Sequence, residues 1–199
     1  NSVFLTNGAE WQRQRRIIDP AFQNIGIRQA FPAMWAAGLQ TVARLHQHAG
    51  LKTPVEIEVE TSHAAADVIF RTLFSLPITD QIAAQVFEQF KIYQRSQPLL
   101  NIAAFLKFPR WLPGFFRRDT RRSARSIRRL ITQLTQARMD QITGGTAPDD
   151  LATKIMTQRD PETNEQFSIE EMVDQVAIFF LAGHETSASA LAWALYLLA

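Results

Sequence analysis

Apolar residues recur at helical spacing through most of the chain, and the breaks between these runs predict its elements. Residues 8–19 read as a helix rich in Arg and Gln, closed by Pro20. Residues 31–49 form a second, with Pro32 tolerated in its first turn and Gly50 just past its end. Val55-Glu56-Ile57-Glu58-Val59 alternates strictly between apolar and acidic positions, the pattern of a strand. Thr61 or Ser62 then caps a helix carrying Ala64, Ala65, Val68, Ile69, Leu73 and Phe74. After a break at Pro77, Thr79 and Asp80 open a helix reaching about residue 95. Residues 98–116 read as a long aromatic loop or a pair of short helices. A basic helix over 119–142 stops at Gly144-Gly145. Asp149-Asp150 starts a short helix, Asp160-Pro161 marks a turn, and Ser168-Ile169-Glu170-Glu171 is a capping box opening a helix that runs to the chain end. The expected class is mainly α with a little β, without internal repeats.

Composition narrows this picture. With 46% apolar and 20% charged residues among 199, the chain has the make-up of a soluble globular protein with one substantial core. A net charge of +2 makes no global demand for nucleic acid or an anionic membrane. The absence of cysteine excludes disulfides, thiolate nucleophiles, cysteine-based zinc sites and thiolate-bound haem within these residues, and it fits a reducing cytoplasm. No basic region followed by an apolar run and a small-residue cleavage site opens the chain. The start at Asn1 without Met, and the stop at Ala199 inside an apolar helical run, lead us to expect residues 1–199 to be a single partial domain, a fragment of a larger one.

The candidate chemistry lies in the last helix. Residues 176–199 are apolar apart from an island at His184-Glu185-Thr186-Ser187 and Ser189, preceded by Ala182 and Gly183. A core helix gains nothing from an acid at its centre, because burying an unpaired carboxylate is costly. Gly183 weakens the helix by about 1 kcal/mol relative to Ala. Thr186 lies one turn after Ala182, so its hydroxyl can bond back to that carbonyl and bend or open the helix. Gly183 would let a planar cofactor or diatomic ligand approach the backbone. Glu185 beside Thr186 places a carboxylate and a hydroxyl where they could pass protons into a dry pocket. The plainer alternative is an amphipathic core helix with one wet patch, and Ser187 and Ser189 read as small packing residues. A transmembrane span is argued against by Glu185 near its middle, since a central charge costs roughly 3 kcal/mol.

Ala182-Gly183-His184-Glu185-Thr186-Ser187 resembles the Ala/Gly-Gly-x-Asp/Glu-Thr-Thr/Ser motif of cytochrome P-450 monooxygenases. The resemblance implies that Glu185 and Thr186 are catalytic and deliver protons during oxygen activation. It implies that Ala182 and Gly183 line the haem and oxygen groove, and it puts His184 at the variable position, structural or solvent-facing. Trp11-Gln12-Arg13-Gln14-Arg15, followed by Pro20-Ala21-Phe22, is similar to the family's Trp-x-x-x-Arg helix and the Pro-x-Phe after it. Trp11 and Arg15 are four apart and share a helix face. An indole N–H and a guanidinium so placed can both donate to one carboxylate, which suits a haem propionate. An arginine stacked on a surface tryptophan is the plainer reading of that pair. The resemblance spans nearly the whole chain and implies haem b in the parent protein, a small hydrophobic substrate and a redox partner such as a ferredoxin or reductase. Neither nucleic acid nor a membrane is expected as a partner, and the expected setting is a bacterial cytoplasm. No metal ligand is assigned: His46, His48, His63 and His184 sit in no recognisable ligand context.

Two features stay open. Arg118, Arg121, Arg122, Arg125 and Arg129 fall on one helical face, suited to an acidic partner or to solvent alone. Residues 105–116 are unusually apolar for a loop and read equally as a substrate-access lid or as a segment packed on the core. The alternative to a monooxygenase fragment is a haem-free helical remnant or interaction module that binds a hydrophobic ligand or an acidic partner. Incomplete cover for the last helix also predicts a dimer or domain exchange of the isolated chain.

Overall fold

The computed structural model describes residues 2–52, 54–96 and 118–199, with backbone alone at 24–27, 118 and 119. Helix α1 (Gly8–Ile18) runs into a 3-10 turn (Asp19–Phe22) with Pro20 in its first positions. Then follow α2 (Asn24–Leu51), α3 (Ile57–Phe74), α4 (Gln81–Ser96), α5 (Arg118–Thr143), the short α6 (Leu151–Thr157) and α7 (Ile169–Leu198). The fold is mainly α, and no strand occurs among the described residues. The expected loop over 98–116 lies outside them.

Side chains set the helix starts as the sequence predicts. Asp80 Oδ1 accepts from the backbone N–H groups of Ile82 and Ala83, at 2.8 and 3.1 Å, and so satisfies donors at the start of α4. Asp150 caps α6 through the Thr153 N–H at 3.0 Å. At α7 the capping box is complete: Ser168 Oγ accepts from Glu171 N, and Glu171 Oε2 accepts from Ser168 N. Gly145, at φ +69°, takes the left-handed turn that closes α5.

Two boundaries differ from expectation. Residues 55–59 are not a strand, because α3 begins at Ile57 with Glu58 and Glu60 in its first turn. Acids in a first turn are stabilised by the helix dipole, and five alternating residues without a partner strand have no ladder to join. Thr61 is therefore inside the helix, its hydroxyl donating to the Ile57 carbonyl at 3.0 Å. Helix α2 starts seven residues before the expected position, so Pro32 lies in its interior and forfeits one backbone bond. Its C-terminal stop is Lys52, in the left-handed region at φ 51°, and Gly50 remains helical.

Helix α7 packs along α3 and against α5, α4 lies on α5, and α2 flanks α3. Between them sit Phe70, Phe74, Phe90, Ile131, Met172 and Phe180, all nearly inaccessible. Where α3, α5 and α6 meet, the buried Arg138 guanidinium donates to Asp150 Oδ2 at 2.5 Å, to Thr153 Oγ1 at 2.9 Å and to the Phe74 carbonyl at 2.7 Å. Ser75 Oγ donates to the same carboxylate at 2.8 Å. A buried pair held this way becomes a liability when one member is lost. Arg138→Ala is expected to destabilise the protein by about 3–5 kcal/mol, by leaving Asp150 buried and unpaired. Denaturant unfolding of Arg138→Ala beside an Arg138→Met/Asp150→Leu double variant checks this, with the double variant expected to be the more stable of the two.

Candidate functional site

The polar island sits just past the middle of α7, where three helices meet. The helix buries a row spaced by four, Met172, Val176, Phe180, His184, Ala188 and Ala192. His184 belongs to this row and is only 3% exposed, so of the two readings for it the structural one holds and the solvent-facing one does not. Its ring stacks on Phe180 at 5.3 Å and meets Phe87 of α4 edge-on at 5.6 Å. Nε2 lies 2.8 Å from Ser62 Oγ on α3. Burial lowers the His184 pKa, against smaller upward pulls from the Glu185 carboxylate and Ser62, so the neutral imidazole is the resting form.

The other island residues point to different sides. Gly183 turns its bare Cα toward α3, where an added Cβ would come within 3.3 Å of Ile69 Cδ1. Its lack of a side chain therefore serves close packing of α7 on α3. Thr186 Oγ1 donates to the Ala182 carbonyl at 2.6 Å, the back-bond that the four-residue spacing predicts. Glu185 is exposed and accepts from Gln94 Nε2 of α4 at 3.2 Å. It faces a cleft of about 710 Å³ between α3, α4 and α7, whose walls include Ile57, Ser62, Arg95, Trp193 and Tyr196. Thr186 is not among the lining residues, and no hydrogen bond joins it to Glu185. Successive helix residues diverge by about 100°, so these neighbours address different sides of α7.

Trp11 and Arg15 do share a face of α1, and both are exposed. The Arg15 guanidinium lies 5.8 Å from the Trp11 ring centre and its Nε is 2.9 Å from Asp19. The opposite side of α1 is fastened down. Arg13 reaches Glu171 at the start of α7, and Arg16 donates to both oxygens of Asp160 at 2.6 and 2.9 Å. The Arg16 hydrogen bonds hold the Asp160 carboxyl far below the usual carboxylate range. Among the described residues no hydrogen bond, ion pair or ring contact joins the Trp11–Arg15 pair to the island. Ser62, expected as a helix cap but lying inside α3, Ile69, expected only as a core position, and Phe87 and Gln94 are neighbours that the sequence did not assign to the site. The four-residue row leading to His184 signals the burial of that residue and not which partners meet it.

The profile of the family described as Cytochrome P450 matches residues 1–199. A cytokinin hydroxylase of Arabidopsis thaliana is 29% identical, the match covering 99% of this chain and 39% of that protein. An 11-oxo-beta-amyrin 30-oxidase of Glycyrrhiza uralensis is 26% identical, over 96% of this chain and 38% of its own length. The crystal structure of the cytochrome P450DA heme domain superposes with a TM-score of 0.75 at 22% identity, covering 100% of this chain and 40% of that one. The chain belongs to the cytochrome P450 family, and it spans about two-fifths of the length of these relatives.

That family implies haem. On α1 the exposed Arg15 guanidinium lies over the Trp11 ring and pairs with Asp19, the stacked arrangement, while the indole N–H and guanidinium are the donor types a carboxylate at the cofactor's rim would require. The iron is a different matter, because these residues contain no cysteine. Among the described residues no three His, Asp or Glu side chains converge as a metal site. The chain thus carries donors suited to the periphery of haem and no thiolate for its iron.

The close approach at Gly183 can be tested directly. Gly183→Ala should be near neutral, because a helix-propensity gain of about 1 kcal/mol is offset by the tight contact with Ile69. Gly183→Val should cost about 1–3 kcal/mol by overpacking. Adding Ile69→Val should turn Gly183→Ala into a net gain, read from urea midpoints.

Proposed function

We propose that these residues form the distal portion of a monooxygenase that inserts one atom of dioxygen into a small hydrophobic substrate. The observation that carries the reading is the Thr186 Oγ1–Ala182 carbonyl bond inside Ala-Gly-x-Glu-Thr, with the neighbouring carboxylate open to solvent. Haem b, when bound, supplies the oxygen-activating chemistry. Trp11 and Arg15 are assigned to a propionate and Ala182 to the wall of the haem and oxygen groove, with Gly183 contributing backbone alone because its Cα faces Ile69. The Thr186 hydroxyl spends its proton on Ala182, which leaves the lone pairs on Oγ1 free to accept a hydrogen bond from a water or ligand in that groove. Glu185, tethered by Gln94, exchanges protons with the cleft side. Electrons come from a redox partner such as a ferredoxin or reductase, and the setting is a cytoplasm, with a bacterial one the initial expectation and plant and fungal proteins among the curated relatives.

A carbon monoxide difference spectrum of the reduced full-length protein decides between this and a haem-free remnant or interaction module. A Soret band at the thiolate position is expected, and a protein without any haem signal would overturn the reading. With haem bound, Glu185→Gln should slow turnover by on the order of 10²-fold while the spectrum stays intact.

The surface supports one further expectation. Phe31, Trp35, Leu39 and Val42 form an exposed apolar stripe on α2, and Leu191, Trp193, Leu195 and Leu198 leave a second apolar surface open on α7. No helix among the described residues is long and apolar enough to cross a membrane. Expressed alone, residues 1–199 should therefore associate through these surfaces as a dimer or by domain exchange. Light scattering should report a mass above the monomer, and a clean monomer at micromolar concentration would refute the association.

A further inference from the structure

The island on α7 includes a side chain that the proposed chemistry does not use. His184 is buried between three helices, with α7's own Phe180 on one ring face, Phe87 of α4 at its edge and Ser62 of α3 on Nε2. Its Nδ1 has no partner, so the single bond to Ser62 is what gives the ring a fixed direction. Apolar contact alone is non-directional, and a helix resting on it can turn or slide with little loss. A hydrogen bond of 2.8 Å is directional and resists both movements.

We infer that His184 is a positioning residue: its bond to Ser62 sets the rotation of α7, which sends Glu185 to the α3–α4 cleft and keeps Thr186 out of it. The inference rests on the monooxygenase reading for its functional consequence and on the geometry alone for its structural one. Three consecutive residues register α7 in this way. Gly183 meets Ile69 of α3, His184 meets Ser62 of α3, and Glu185 meets Gln94 of α4. Of these, the Glu185–Gln94 bond is at the surface and the Gly183 contact is apolar. The His184–Ser62 bond, half-buried at the edge of the cleft, is thus the more sheltered directional link between α7 and its neighbours at the island.

The test uses the full-length protein and two small changes that remove the bond from either side. Ser62→Ala deletes the hydroxyl, and His184→Phe keeps a stacking ring without the nitrogen. Amide hydrogen exchange across residues 182–186 should rise on the order of tenfold in each, the scale expected when a buried polar group loses its partner. The double variant should rise no further than the singles, because both remove the same link. Ser62→Thr, which retains the hydroxyl, should restore protection. In the haem-loaded protein the fraction of electrons recovered as product should fall in Ser62→Ala and recover in Ser62→Thr, with substrate KM little changed. Unchanged exchange in both single variants, or a double variant whose effect is the product of the two, overturns the positioning role. A missing haem spectrum would sink the monooxygenase reading instead, and the exchange data would still judge the helix setting.

Discussion

The close approach of α3 and α7 is the constraint on which the rest of the site depends. Buried small residues occur on both helices, Ala64, Ala65 and Ala66 on α3 and Ala188 and Ala192 on α7, and Gly183 leaves no room for a methyl group without Ile69 yielding. With the backbones this near, a short serine reaches the imidazole of His184 directly. Phe180, one turn earlier, meets Phe70 of α3 at 5.2 Å and stacks on Phe90 of α4 at 4.3 Å. The same turn of α7 thus ties two helices to a third, and a directional bond follows the aromatic cluster along it. Interiors packed at this density transmit a shift instead of absorbing it. A change of one methyl at Gly183 or one hydroxyl at Ser62 therefore acts on residues that neither touches.

Charge does for α1 what close packing does for α7. Arg13 and Arg16 reach Glu171 and Asp160, on and just before α7, while Ile17 and Ile18 are buried beneath them. Arg16 and Asp160 meet through two parallel bonds, the arrangement in which a guanidinium is most selective for a carboxylate. With two of its arginines committed inward, α1 has one orientation left, and that orientation holds Trp11 and Arg15 to the outside. The outward pair is therefore a consequence of the inward one. A lysine at position 16 would keep the charge and lose the fork that sets the angle of the helix.

Element type and helix starts were legible where local chemistry decides them. Asp80, Asp150 and the Ser168/Glu171 box act within three residues of their own backbone, so tertiary structure had nothing to override. The alternation at 55–59 misled because period two in five residues is also compatible with a helix start rich in acid. Pro32 misled because a long helix can carry a proline in its interior when the rest of its length is well formed. At the site, the Thr186 back-bond followed from spacing alone. The burial of His184 was also present in the sequence, as the fourth member of a row spaced by four from Met172, and the motif's variable position drew attention away from it. Its partner Ser62 lies 122 residues away and was not legible, because no local pattern marks which hydroxyl on α3 will face which turn of α7.

The outer surface separates into two kinds of face with opposite needs. On α5, Arg121, Arg122, Arg125, Arg128 and Arg129 are exposed, and Arg128 reaches Asp174 at 2.5 Å. Burying such a row without matching carboxylates would cost several kcal/mol per ion, so this face belongs in water or against an acidic surface. The apolar stripe on α2 and the open surface on α7 have the reverse preference, since every square ångström withdrawn from water is favourable. Trp35 and Trp193, at 61% and 64% exposed, add two large rings to that imbalance. The Glu185 cleft borders the open surface of α7. Trp193 and Tyr196 form one wall, Arg95 and Gln94 another, and the carboxylate stands between them. Whatever covers the open surface of α7 must also enclose that carboxylate on its apolar side, and enclosure strengthens every interaction the charge makes. The proton-exchanging role of Glu185 and the covering of α7 are for that reason one physical problem.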